Sequence, residues 1–167
     1  MATPTATPAR VFGSGIRRRE DPRLLTGTAR YTADITLPGQ LYAAILRSPH
    51  GHARIRTIDT SAAKAAPGVI AAFTGADTEG VLQMIPCAWL VPNSDLKVGP
   101  YPAMAMGVVR YVGDAVAVVV AESAQQAYDA VELIDVEYEP LPAVVDPEQA
   151  AASGAPQLHA EVPNNVA

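Results

Sequence analysis

One run of seven residues sets the terms for the rest of the chain. Ala115–Ala121, AVAVVVA, is apolar at every position. A strand with one wet face alternates apolar and polar side chains. This run does not, and its four valines predict a strand that must be covered on both faces. A chain of 167 residues is long enough to bury one core of ordinary size. The material for that core is thin. Apolar types make up 49% of the chain, but 31 of those residues are alanine, while Val, Ile, Leu and Phe together number 39. Those four types are about 23% of the sequence, just above the range in which chains stay disordered. The expectation is a folded domain with a small core that leans on a partner.

Proline and glycine cut the chain into short elements. Leu24-Leu25-Thr26-Gly27 predicts a helical turn stopped by glycine. After the Pro38-Gly39 turn, residues 41–47 predict a buried strand that Pro49 and Gly51 break. Residues 53–59 alternate as a second strand, although Ile58 disturbs the alternation. Thr60 or Ser61 can cap a short helix over 62–66 that Pro67-Gly68 ends. Residues 69–73 predict a third strand. Pro86, Pro92, Gly99, Pro100 and Pro102 forbid long elements over 78–106, and a loop of that length is more often functional or interfacial than idle. Strands are expected at 107–111, 115–121 and 136–138. Between the last two, Ser123 and Gln126 have capping-box spacing ahead of a helix over 124–133. Its apolar stripe is Ala127, Val131 and Ile134. Pro147 opens a last helix over 148–152. The order predicts an α+β fold, a mainly antiparallel sheet with helices packed on it.

Charge divides the chain. Over residues 1–56, nine arginines against Glu20, Asp21 and Asp34 leave +6; over residues 57–167, Lys64, Lys97 and Arg110 against 14 acids leave −11. A basic front and an acidic back suit separate docking faces or self-complementary halves. The net charge of −5 argues against a general nucleic-acid binder. No apolar run approaches the ~20 residues of a membrane span. One cysteine forms no intrachain disulfide and holds no zinc site or iron–sulfur cluster by itself. Residues 1–11, rich in Thr, Pro and Ala, read as a flexible extension. Glu20-Asp21-Pro22 follows Arg17-Arg18-Arg19 where an export signal would turn hydrophobic, so a cytoplasmic location is expected.

Few residues offer chemistry. His50-Gly51-His52 could meet a metal ion only on a suitable turn, and no acidic or Cys ligand stands at a recognised spacing. Structural hydrogen bonding in a corner between strands is the expected role. Ser48, His50 and Asp59 match a hydrolytic triad by composition alone, without a G-x-S-x-G turn. The strip Gly13–Arg19 could wrap an anion with its amides, as a free-standing ligand-binding module would, but it lacks the spacing of a phosphate loop. Cys87, beside Pro86 and Trp89, reads as a small apolar residue. The acids Glu132, Asp135, Glu137 and Glu139 read as a solvated face or one side of an interface. No complete active site emerges.

Several stretches run in a familiar order. They are Arg18–Gly27 (RREDPRLLTG), Tyr31–Ile35 (YTADI), Leu46–Ile55 (LRSPHGHARI), Pro67–Val69, Thr74–Asp77, Val112–Ala117, Val136–Pro142, Leu158-His159 and Pro163–Val166. Together they resemble the N-terminal part of the molybdenum-binding large subunit of the xanthine dehydrogenase, aldehyde oxidase and aerobic carbon monoxide dehydrogenase family. The resemblance covers nearly the whole chain after residue 11; Gly51 stands where the family often has Ala. It implies an α/β hammerhead domain over residues 41–146, a basic docking segment over 12–40, and a segment over 147–167 leading to the remainder of the large subunit. It also implies membership of an enzyme that oxidises a small molecule with water as oxygen source. That complex would hold molybdopterin, in its cytosine dinucleotide form, two [2Fe–2S] clusters and FAD, with the last two cofactors on separate iron–sulfur and FAD subunits. The family's pterin-binding segments and catalytic glutamate have no counterpart here, so no catalytic residue carries over and no cofactor is expected on this chain alone. The candidate interface residues are Arg17, Arg18, Arg19, Glu20, Asp21, Arg23, Arg47, His50, His52 and Trp89, in the basic segment, the strand corner and the long loop.

Overall fold

The computed structural model describes residue 15 and residues 18–89 and 92–167. Arg17 and most of the Gly13–Arg19 strip lie outside the described residues. The chain divides into two compact units, Met1–Gln40 and Leu41–Ala167.

The first unit carries helix α1 (Asp21–Leu25), with Pro22 in its first turn, where the missing amide hydrogen is harmless. The Thr26 hydroxyl donates to the Pro22 carbonyl at 2.7 Å, and Gly27 turns the chain at φ +70°. A 3-10 turn follows at Thr32–Asp34, where the Asp34 carboxylate accepts the Tyr31 amide at 2.9 Å. Neither element buries a residue.

Among its described residues the second unit holds six strands, and the α+β class is as expected, but they form two antiparallel sheets rather than one. Strands β1 (Tyr42–Arg47), β3 (Val69–Thr74) and β5 (Ala115–Ala121) make the first, in the order β1-β5-β3. Strands β2 (Ala53–Asp59), β4 (Val108–Val109) and β6 (Asp135–Pro140) make the second, in the order β4-β2-β6. The apolar run is thus the central strand of its sheet.

Helix α4 (Ala124–Val131) lies on one face of that sheet. Ala117 and Val119 of β5 and Ala72 of β3 meet Ala130 and Ile134 there, and Ala44 and Ala121 meet Ala127. Helix α2 (Ser61–Ala65) adds the buried Ala63 to the same core. Among the described residues the largest fully buried side chains are three valines, Val109, Val116 and Val119. The core is as thin as the alanine content foretells.

On the opposite face, cover stops early. Val116 is buried against Ala53 and Val109 of the second sheet and against Ala105. Beyond it, Val118 pairs with Ile45 and Phe73, and Val120 pairs with Ala43 and Ala71. Cross-strand partners share a face, so these six side chains point away from α4. Ile45 is 45% and Phe73 44% exposed, and neither valine is fully buried. The expectation of cover on both faces holds for one face and for one end of the other.

Local chemistry explains where the elements differ from expectation. Strand β4 spans two residues because Gly107 turns at φ +73° and the Asp114 carboxylate takes the Arg110 amide at 3.0 Å. A bulge between Ile55 and Thr57 inserts Arg56 into β2, which is how Ile55 and Ile58, three apart, reach the same core. Neither Thr60 nor Ser61 caps α2 with its side chain; the Asp59 carboxylate accepts the Ser61 amide at 2.8 Å instead. At α4 half of the capping box forms. The Ser123 hydroxyl accepts the Gln126 amide at 3.3 Å, but the Gln126 side chain accepts from that hydroxyl and packs over Gly68. Further short helices among the described residues are α3 (Gly75–Thr78), unforeseen, α5 (Pro147–Ala150), capped by Asp146, and a 3-10 turn at Pro163–Asn165.

Candidate functional site

Four of the sequence candidates, Arg47, Ser48, His50 and His52, lie at the corner between β1 and β2. Ser48 is 2% exposed and tied into the loop before β5: its amide donates to the Asp114 carbonyl and its carbonyl accepts from Gly113, both at 2.8 Å. Arg47 donates to the Gly113 carbonyl at 2.9 Å. The Ser48 hydroxyl donates to the main-chain carbonyl of His50 and accepts the His50 amide, each at 3.0 Å. The hydroxyl proton is therefore spent on backbone, and the His50 ring lies edge-on to Tyr138 at 4.9 Å. Asp59, the third member of the compositional triad, sits at the far end of β2 with its carboxylate on Ser61. No nucleophile–base relay is assembled from these three groups.

The two neighbouring histidines also part company. His52 Nδ1 lies 2.7 Å from the Pro142 carbonyl, while His50 faces Tyr138. Among the described residues no three His, Cys, Asp or Glu side chains converge as a metal-ligand set. Cys87 is exposed, and its thiol donates to the Trp89 carbonyl at 3.2 Å. The groups at this corner are engaged in hydrogen bonding and packing.

A second cluster went unseen in the sequence. Pro100, Tyr101, Arg110, Tyr111, Asp114 and His159 line a cavity of about 280 Å³. The Tyr101 and Tyr111 hydroxyls are 2.9 Å apart, and that bond, with burial and the Asp114 charge, pushes the Tyr111 phenol far above its ordinary range. Burial likewise raises Tyr138. Both phenols stay protonated at neutral pH and can donate or accept but not act as bases. His159 packs over Gly99, where a Cβ would collide with its ring, and its buried Nδ1 has no partner. Burial, then the Arg110 charge, keeps this imidazole below its usual 6.5. Arg110 Nε holds the Leu158 carbonyl at 3.0 Å, and the Asn165 side chain binds Ala150, Pro156 and Leu158 main-chain groups. These contacts join residues up to about sixty positions apart, so no local spacing could have announced them.

The remaining candidates are surface groups. Arg18 and Asp21 form an ion pair at 3.4 Å between exposed side chains. In the long loop Val81, Leu82, Met84 and Ile85 are exposed, and Trp89 is 79% exposed. On the outer side of the second sheet, Arg54 and Arg56 share the Glu139 carboxylate at 3.2 and 2.5 Å.

Residues 26–142 match the family described as "Aldehyde oxidase and xanthine dehydrogenase, a/b hammerhead domain". The chain is 43% identical to the nicotine 6-hydroxylase large subunit of Paenarthrobacter nicotinovorans over 156 residues, which is 93% of this chain and 19% of that one. It is 40% identical to the carbon monoxide dehydrogenase large chain of Afipia carboxidovorans, over 90% of this chain and 18% of the relative. Among solved structures it superposes on quinoline 2-oxidoreductase from Pseudomonas putida 86 with a TM-score of 0.76 and 48% identity, covering 87% of this chain and 18% of that chain. The chain therefore spans less than a fifth of the length of these relatives. With two antiparallel sheets, short helices and this match, the chain belongs to the a/b hammerhead domain family of aldehyde oxidase and xanthine dehydrogenase.

Proposed function

We propose that this chain is the structural and assembly part of a molybdenum hydroxylase large subunit, an oxidoreductase that oxidises a small molecule with water as oxygen source. The observation that carries this reading is coverage: nearly the whole chain aligns with relatives named as large subunits, yet with less than a fifth of each. In this reading the reactive parts belong to the remainder of the large subunit. Molybdopterin, as the cytosine dinucleotide, resides there, and two [2Fe–2S] clusters and FAD reside on iron–sulfur and FAD subunits. The chain itself supplies no catalytic residue.

Docking falls to three regions. Arg17, Arg18, Arg19, Glu20, Asp21 and Arg23 form a basic segment within residues 12–40, following the extension over residues 1–11. Trp89 and its apolar neighbours form the second, on the long loop. Arg47, His50 and His52 form the third, at the corner of the hammerhead domain over 41–146, from which residues 147–167 lead onward. Exposed aromatic and Arg side chains are the groups that protein interfaces favour. No helix is long and apolar enough to cross a membrane among the described residues, and a cytoplasmic complex without nucleic acid is proposed. Native isolation tests this reading. The chain should co-purify with further large-subunit polypeptide and with molybdenum, iron and flavin. A stable monomer free of all of these, or turnover by the chain alone, would overturn it.

A further inference from the structure

We infer that the open face of the β1-β5-β3 sheet, formed by Ala43, Ile45, Ala71, Phe73, Val118 and Val120, is the seat of the remainder of the large subunit. This inference rests on the assembly reading above and adds to it a specific surface, built from residues other than those of the basic segment, the strand corner and the long loop.

Three observations carry it. First, the six side chains stand in register as two cross-strand rows, Ile45–Val118–Phe73 and Ala43–Val120–Ala71, without a polar group among them. Such a face gains nothing from water, and a sheet apolar on both sides is stable only when both sides are covered. Second, cover has already begun: Val116, at the end of the same face, is fully buried by Ala53, Val109 and Ala105. The open rows continue a buried core and, among the described residues, end without a lid. Third, the relatives carry more than four-fifths of their length beyond the part this chain matches, as single large chains. Cover supplied permanently from within one subunit resembles a domain core, which is apolar and uncharged like this face. A transient partner would be expected to meet a more polar surface.

Thiol labelling decides the matter. In a Cys87→Ser background, Phe73→Cys and Ile45→Cys each place a single thiol on the open face, and Tyr128→Cys places one on α4, where Tyr128 is 64% exposed. In the isolated chain all three should react readily with a maleimide. In the native assembly, labelling at 73 and 45 should slow by about ten-fold or more relative to the isolated chain. An assembly that forms normally while 73 and 45 label as fast as in the isolated chain would overturn this inference and leave the assembly reading standing. Absence of any assembly would sink the assembly reading itself. Slow labelling in the isolated chain, with a sedimentation mass of twice the monomer, would overturn the inference in favour of a second copy as occupant. Two open-face probes guard against one variant failing to fold.

Discussion

The β1-β5-β3 sheet turns Ile45, Val118 and Phe73 away from its helix, whereas the β4-β2-β6 sheet turns Arg54, Arg56, Glu137 and Glu139 away from its core. Both outer faces are exposed to a similar degree, since Arg54 and Arg56 side chains stand near 50% exposed and Ile45 and Phe73 near 45%. The difference lies in what exposure does. Water completes the charged face, because guanidinium and carboxylate groups are solvated as well by water as by each other. Water completes nothing on the apolar face, where each exposed aliphatic group forgoes roughly 25 cal/mol per Å² of available burial. One sheet is finished as it stands; the other is half of a sandwich.

Substitutions can break this comparison. The largest effect is expected on the covered side of the first sheet. Val119→Asp would bury an unpaired carboxylate against Ala130 and Ile134, at a cost of several kcal/mol, enough to abolish a cooperative urea transition. Phe73→Asp, on the open side, should leave that transition within about 1 kcal/mol of the parent. Equal losses at both positions would show that the two faces are packed alike. Next comes the joint between the sheets. A Cβ at Gly75 would run into the Ala105 carbonyl, which is backbone and cannot swing aside. Gly75→Ala should therefore lower stability by about 1–3 kcal/mol, read as a shift in the urea midpoint at constant slope.

Much of this architecture was legible in advance, and the failures have physical causes. Pro and Gly bound β1 and β3 on both sides and precede β2 and β5, and because they act locally they can be read locally. Helix α3 goes unforeseen because it opens on Gly75, and glycine is a poor helix former. The signal was present in Thr74 and Asp77, three apart: the Asp77 carboxylate accepts the Thr74 amide at 2.7 Å and the Thr74 hydroxyl at 2.8 Å. The Tyr101–Tyr111–Asp114–His159 cluster was not legible at all, since its members meet only through tertiary packing of a loop, a turn and a late segment. Among the candidate residues, the sequence points to His50 and His52 at a corner between strands, but not to Ser48 and Asp114 as the groups that tie that corner together.

Smaller effects sharpen the picture. Hydrogen bonds from Thr74 hold Asp77, and hydrogen bonds from Ser61 hold Asp59, below the usual carboxylate value. Their charged forms are favoured in the folded chain. Their contribution is present above the unfolded value of about 3.9 and is lost as pH falls through the lower folded values. His159 follows the same sign in a higher window. Its neutral form is favoured by burial, so the unfolded chain takes up the proton first and stability declines as pH falls below about 6.5. Urea midpoints measured against pH should show this upper phase, and His159→Gln should remove it. Asp77→Ala should cost about 0.5 kcal/mol, the low end of capping effects for so exposed a group. Smallest of all, Glu139→Gln on the charged face should change stability by less than about 0.5 kcal/mol and by nothing measurable in high salt.

The distinction between a finished and an unfinished sheet face has a direct reading in the unaltered sequence. Hydroxyl-radical footprinting of the chain alone and of its native assembly measures side-chain exposure at Phe73 and Ile45 without any substitution. Phe73 and Ile45 should be oxidised in the isolated chain and protected in the assembly. Equal oxidation of both residues in the two samples would contradict the claim that this sheet is completed by another part of the proposed assembly.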